Sequence, residues 1–201
     1  MPALVDRIGD RLAAHRWNPL RLPEASVPVA GSAHERLVAA AASGDVLFHG
    51  SNDRTIDVFE PREQLTARDR PVKAVFATPD ALWAMFFAVT DTTRAIGRWN
   101  MCLRPEESGL PVSRYFFAVQ GDPRTVWTEG AVYVLPRTTF EPSDVAAEWI
   151  SFSAVVPLEA VPVTRDDFPF ARRVFRFEHP ESDWRRLGRL VANGVADAFG
   201  R

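Results

Sequence analysis

Leu47-Phe48-His49-Gly50-Ser51, followed by Asn52 and Asp53, is the stretch whose reading decides the fold. An apolar run that meets a histidine and is then bounded by Gly and Asp reads as a buried strand stopping at His49, a position where sites gather. Glycine at position 50 lets a ligand approach the backbone closely. Just upstream, Ser32-Ala33-His34-Glu35 has the Ser-x-x-Glu form of a capping box, Leu37, Val38 and an alanine run follow, and Gly44 supplies a stop. A helix therefore delivers the chain into the His49 strand. Further back, Leu4, Ile8 and Leu12 recur every fourth residue beside Val5, which predicts an amphipathic helix over 3–15. Pro19, Pro23 and Pro28 make the next segment a connector.

Downstream of Asp53 the chain is polar as far as Asp69, with Ile56, Val58, Phe59 and Leu65 as its apolar anchors. It reads as a lid or specificity loop beside a site, or as a plain surface excursion. Val72 to Ala77 is the next strand. Thr78-Pro79-Asp80 starts a helix, with Thr78 as N-cap and proline at the first helical position. Leu82, Met85, Phe86 and Val89 form its core stripe; Trp83 and Phe87 lie on a neighbouring face, with small Ala84 leaving space beside Phe87. Thr92 to Ser113 reads as irregular. Tyr115 to Val119, Ala131 to Leu135, Trp149 to Val156, Val161 to Thr164 and Val174 to Phe177 read as strands, and a helix from about Ser182 closes the chain. Strands in the middle with helices on the flanks give an α+β class with a mixed or mainly antiparallel sheet.

Composition sets the outer limits. A length of 201 residues with 46% hydrophobic residues suits a single domain with a proper core. The formal charge of −2 gives no broad attraction to nucleic acid or to an anionic membrane. Cys102 is the one cysteine, so an intrachain disulfide and a cysteine zinc site are excluded, in keeping with a reducing cytoplasm. Asp6, Arg7, Asp10 and Arg11 interrupt the apolar residues near the start in a way a signal peptide would not tolerate, and no run approaches a membrane span. No Gly-rich phosphate loop, two-histidine zinc helix or nucleophile elbow is present, so no metal is expected. Arg185, Arg186 and Arg189 read as a solvated face.

Glu148 is the most informative charge. It shares strand parity with Ile150 and Phe152, at the start of an apolar face, where a carboxylate is suited to stabilising developing positive charge. If the strand begins one residue later, it is simply a solvated residue. His49 alone reads equally well as a histidine that satisfies a turn, and Phe76 and Phe87 alone as core.

In conjunction these residues say more. L-F-H-G-S at Leu47 to Ser51, V-F-A-T-P with an aromatic eleven residues beyond its phenylalanine (Phe76, Phe87), and E-W-I-S-F at Glu148 to Phe152 occur in that order. The set resembles the His-Tyr-Glu class of the ADP-ribosyltransferase fold, that of the poly(ADP-ribose) polymerases and related bacterial enzymes. The motifs anchor residues 46–156. The resemblance implies an ADP-ribosyltransferase-like split sheet over 45–178, with N-terminal helices (1–44) packed on it and a C-terminal helix over 180–200.

It also implies roles. NAD, as substrate, would lie across the split sheet, its nicotinamide amide held by the backbone of Gly50 and by the Ser51 hydroxyl. His49 would hold a ribose hydroxyl. Phe76 and Phe87 would sandwich the nicotinamide, with Thr78, which closes its motif, also in the binding set. Glu148 would bind the nicotinamide ribose and stabilise an oxocarbenium-like transition state, a form of electrostatic preorganisation whose single elements are typically worth ~3–4 kcal/mol. His49 and Glu148 are thus the catalytic pair.

Phe76 stands where the class has tyrosine, so stacking persists while a hydroxyl is lost. The residues ahead of Leu47 are too few for the large helical regulatory domain of some polymerases, which favours a small mono-ADP-ribosyltransferase. Its acceptor would be a protein, a nucleic acid or a small molecule; a partner or inhibitor protein is compatible with it, and a membrane is not expected. NAD hydrolysis and RNA 2′-phosphotransfer would use the same fold. A module that binds NAD, ADP-ribose or a partner without turnover is the reading from another class, and Phe76 favours it.

Overall fold

The structure is a computed structural model and describes residues 29–66, 70–103, 106–107, 110–111, 113–143 and 147–176. The helices expected over 3–15 and from Ser182 lie outside these residues. The elements in chain order are α1 (Ala33–Ala41), β1 (Val46–Ser51), β2 (Arg62–Leu65), β3 (Pro71–Ala77), α2 (Ala81–Val89), β4 (Gly97–Leu103), β5 (Glu106–Glu107), β6 (Leu110–Pro111), β7 (Arg114–Gln120), β8 (Gly130–Pro136), β9 (Glu141–Pro142), β10 (Trp149–Ser151), β11 (Glu159–Val163) and β12 (Phe175–Arg176). They make an α+β chain whose sheets are mostly antiparallel. The described residues fall into two units, one drawn from 29–95 and 124–172, the other from 96–123 and 173–176.

All of the candidate site residues belong to the first unit. In it, Ser32 caps α1 by accepting from the Glu35 amide at 3.1 Å, while the Glu35 carboxylate reaches back to the Gly31 amide at 2.6 Å. The box therefore closes one residue earlier than its sequence form implies. Gly44, at φ +74°, turns the chain into β1. The strand does not stop at His49 as expected but continues through Gly50 to Ser51, because β8 pairs with it along its whole length, Val46 opposite Pro136 to Ser51 opposite Ala131. One sheet runs β1-β8-β11 and a second β2-β3-β10-β9. Their inner faces share a core of Leu47, Phe59, Val75, Ala77, Ala131, Tyr133, Leu135, Phe140 and Val155.

Helix α2 differs from expectation in two ways. It begins at Ala81 with Asp80 as N-cap, its carboxylate accepting from the Leu82 and Trp83 amides. Thr78 cannot serve as the cap because its own N–H and C=O are committed to Phe48 of β1, at 2.9 and 2.7 Å, and must stay extended. Nor does the helix bury a single stripe: Ala81, Leu82, Ala84, Met85, Phe86, Ala88 and Val89 are all buried, and only Trp83 and Phe87 are half-buried. The helix lies so close to β1 and β8 that a Cβ on Gly50 would stand 1.9 Å from the Ala84 carbonyl oxygen, and one on Gly130 2.1 Å from that of Ala88. Glycine at position 50 thus permits the close approach of the helix.

Strand readings fail where side chains give little pattern. β2 lies in the segment expected to be a loop; all four of its residues are exposed, and it pairs with β3 as an edge strand. The expected strand Trp149 to Val156 shortens to β10, because the Ser151 hydroxyl engages the backbone of Ser153 and bends the chain. Phe152 is consequently 57% exposed and does not join the buried face expected of it. In the second unit β4, read as irregular, pairs with β7 over seven residues, and β12 joins β7 in parallel, with Phe175 stacked on Phe116 at 4.9 Å.

Gly50→Ala must therefore push α2 off the sheet, and a loss of about 3 kcal/mol in unfolding free energy is expected by denaturant titration. Gly31→Ala, at φ +76° with no atom within 4 Å, should cost only about 1 kcal/mol.

Candidate functional site

The site is built on the place where two strands part. In an antiparallel ladder, residues alternate between exchanging both backbone hydrogen bonds with a neighbour and exchanging none. Phe48 exchanges both with Thr78, so its N–H and C=O point away from β8. Its partner across β8, Val134, correspondingly turns its carbonyl to the other side, where it accepts from Leu158 at 2.8 Å. By the same alternation the N–H and C=O of Gly50, two residues on, also point away from β8 and toward β3. Continued pairing would set Gly50 against Phe76. It does not continue: Phe48–Thr78 is an isolated bridge.

His49 occupies the parting. Its Nδ1 lies 2.7 Å from the Phe76 carbonyl oxygen. A carbonyl can only accept, so Nδ1 carries the proton, and in the neutral ring Nε2 is an acceptor. The side chain thereby stands where none of the described strands pairs with Phe76 on this side: β2 covers β3 from Pro71 to Ala74, and β1 covers Thr78. Phe59 packs on the imidazole at a centroid distance of 4.7 Å and sets its edge against Tyr133 at 5.0 Å.

The segment after β1 is stitched down. The Tyr133 hydroxyl accepts from the Ile56 amide and donates to the Asp53 carbonyl, each at 3.0 Å. Burial holds this phenol above its ordinary pKa, so it stays protonated and able to donate. Phe59 and Val155 exchange backbone bonds at 2.8 and 2.9 Å. Asn52, read as a turn residue, caps α2: its side-chain amide donates to the Ala88 and Thr90 carbonyls at 2.9 and 3.1 Å, while its oxygen accepts from Thr92. The Ser51 hydroxyl accepts from the Asp53 amide at 3.1 Å and retains its own proton to donate.

Register sets the level of Glu148. Trp149 pairs with Ala77 and Ile150 with Phe76, so Glu148, just ahead of β10, falls level with Thr78. Phe48, Thr78 and Glu148 lie in a row over three neighbouring strands, which puts Glu148 about 10 Å from β1, two strand spacings. By parity Glu148, Ile150, Phe76 and Thr78 share the face turned away from the core that holds Val75 and Ala77. Ser143 donates its hydroxyl to Glu148 Oε1 at 2.6 Å and its amide to the Glu148 carbonyl at 2.9 Å. Ala147 is at φ +68°, and Arg137 lies 4.1 Å over the Trp149 ring.

The structure thus brings His49, Gly50, Phe76 and Thr78 to one parting in the backbone, while Glu148 lies two strand spacings from β1, on the face turned away from the core that holds Val75 and Ala77. Phe87 stands on the half-buried face of α2 with Trp83, its ring 5.6 Å from that of Phe86. Phe59, Tyr133, Asn52 and Ser143 were missed: the first two read as generic apolar residues and Asn52 as a turn residue, while Ser143 drew no reading. Among the described residues no cluster of His, Cys, Asp and Glu could hold a metal ion, and no helix is long and apolar enough to cross a membrane. No protein-family model, curated protein or solved structure matched the chain.

Tyr133→Phe removes one donor and one acceptor from the segment over His49. A loss of about 1–3 kcal/mol is expected, with hydrogen exchange of the Ile56 amide rising before that of β8.

Proposed function

We propose that the protein is an NAD-dependent mono-ADP-ribosyltransferase on an ADP-ribosyltransferase-like split sheet. The observation that carries the reading is the parted β1/β3 edge, where Gly50 turns a donor and an acceptor side by side toward a place that none of the described strands fills. A carboxamide is complementary to that pair, its oxygen accepting from the Gly50 N–H and its NH2 donating to the Gly50 C=O, as a further strand would. Few other groups carry a donor and an acceptor at that spacing. The Ser51 hydroxyl supports the same amide, and the rings of Phe76 and Phe87 supply the faces for a pyridinium.

With Nδ1 held by the Phe76 carbonyl, His49 presents Nε2 as an acceptor for a ribose hydroxyl. Glu148 supplies the negative charge. As the bond between the ribose C1′ and the pyridinium nitrogen breaks, its electron pair leaves with neutral nicotinamide, and positive charge grows on the sugar, where a carboxylate lowers its energy. The acceptor's nucleophile then bonds to C1′ and gives up its proton. A carboxylate held by a hydroxyl needs no reorganisation at that moment.

Incubation of the purified protein with NAD should release nicotinamide, and Glu148→Ala and His49→Ala should each lower the rate by about 100-fold or more. Absence of release by the wild type, or release unchanged in both variants, would end the enzymatic reading. NAD binding by calorimetry without release would replace it with the binding module that Phe76 favours.

A further inference from the structure

We propose that Ser143 is a positioning residue that aims the Glu148 carboxylate, an inference that rests on the transferase reading above and adds a residue to its machinery. Three independent features converge on Glu148. The Ser143 hydroxyl donates to Oε1 at 2.6 Å, the short range of charge-assisted bonds to a carboxylate. The Ser143 amide holds the Glu148 carbonyl at 2.9 Å, continuing the register in which Pro142 faces Trp149. Ala147, immediately ahead of Glu148, stands at φ +68°, a region that L-residues enter at a cost and keep only where the surroundings impose it. A left-handed residue here reverses the chain direction just before the carboxylate, and the serine then fixes one of its two oxygens.

The following residue is clamped as well. Trp149 lies beneath the Arg137 guanidinium, which also donates to the Gly44 carbonyl at 2.9 Å. Glu148 is thus held by a strand register on one side and by a side-chain bond on the other. A half-buried carboxylate in a purely structural hairpin would gain as much from water as from this serine. The hydroxyl matters when the position of one oxygen must be set in advance of charge developing opposite it.

The test is a double-mutant cycle on nicotinamide release. Ser143→Ala should lower kcat roughly 10-fold, the equivalent of one lost hydrogen bond, with KM for NAD and Tm unchanged, and Ser143→Thr should restore most of the rate. In a Glu148→Gln background, Ser143→Ala should have no further effect, since the aimed carboxylate is already gone. Equal kcat in Ser143→Ala and wild type, or an additive loss in the double variant, would overturn the role of Ser143 while leaving the transferase reading in place. A wild type that releases no nicotinamide would overturn both. A fall in Tm that accounts for the lost rate would assign Ser143 to the hairpin alone.

Discussion

The hydrogen bond from His49 Nδ1 to the Phe76 carbonyl is the interaction on which the rest of the site depends. Two sheets that meet at a single bridge leave backbone groups facing a gap, and a buried carbonyl without a donor costs about as much as a lost hydrogen bond. A second strand pair between Gly50 and Phe76 would close the gap. The imidazole satisfies Phe76 from the side instead, so the strands stay apart and Gly50 keeps its donor and acceptor directed toward the space between them. Phe59 and Tyr133 back the ring, and the bonds from Tyr133 to the chain at Asp53 and Ile56 keep that backing in place. The bond that joins the sheets through His49 also sets the tautomer of its ring.

A second constraint comes from α2. Its backbone rests on Gly50 and Gly130 at a distance no side chain permits, and its C-terminal carbonyls are capped by Asn52 from the chain that follows β1. The helix therefore holds β1 from the face opposite the shared core. Alanines at positions 84 and 88 belong to this contact, which leaves Trp83 and Phe87 as the half-buried residues of the helix. The aromatic that the transferase reading needs thus sits on a helix whose position is fixed by glycines.

Much of this was legible from residues alone, and the failures have physical causes. The cap at Ser32, the turn at Gly44 and the strands around Phe48, Val75, Phe117 and Val132 rest on local chemistry, and they formed where that chemistry placed them. β4 was missed because Arg98, Asn100 and Cys102 alternate with Trp99 and Met101 in a pattern too polar to read as a buried strand, and β2 because a charged edge strand resembles a loop. Thr78 was misread as an N-cap because its pairing with Phe48 is a long-range contact that no local pattern records. His49, Gly50 and Glu148 were singled out by type and order. The bond of His49 to the Phe76 carbonyl, the level of Glu148 beside Thr78, and the hold of Ser143 on Glu148 depend on register and could only be seen in three dimensions.

We propose that the Gly50 amide faces a position that none of the described strands fills and that suits a carboxamide. The most direct test is to follow backbone amide resonances while nicotinamide, and then NAD, is titrated into the labelled protein. The Gly50 amide should move along a saturable curve, together with His49 and Phe76, while resonances of β11 stay still. A Gly50 resonance that holds its position while the ligand binds elsewhere, or does not bind at all, would contradict the claim.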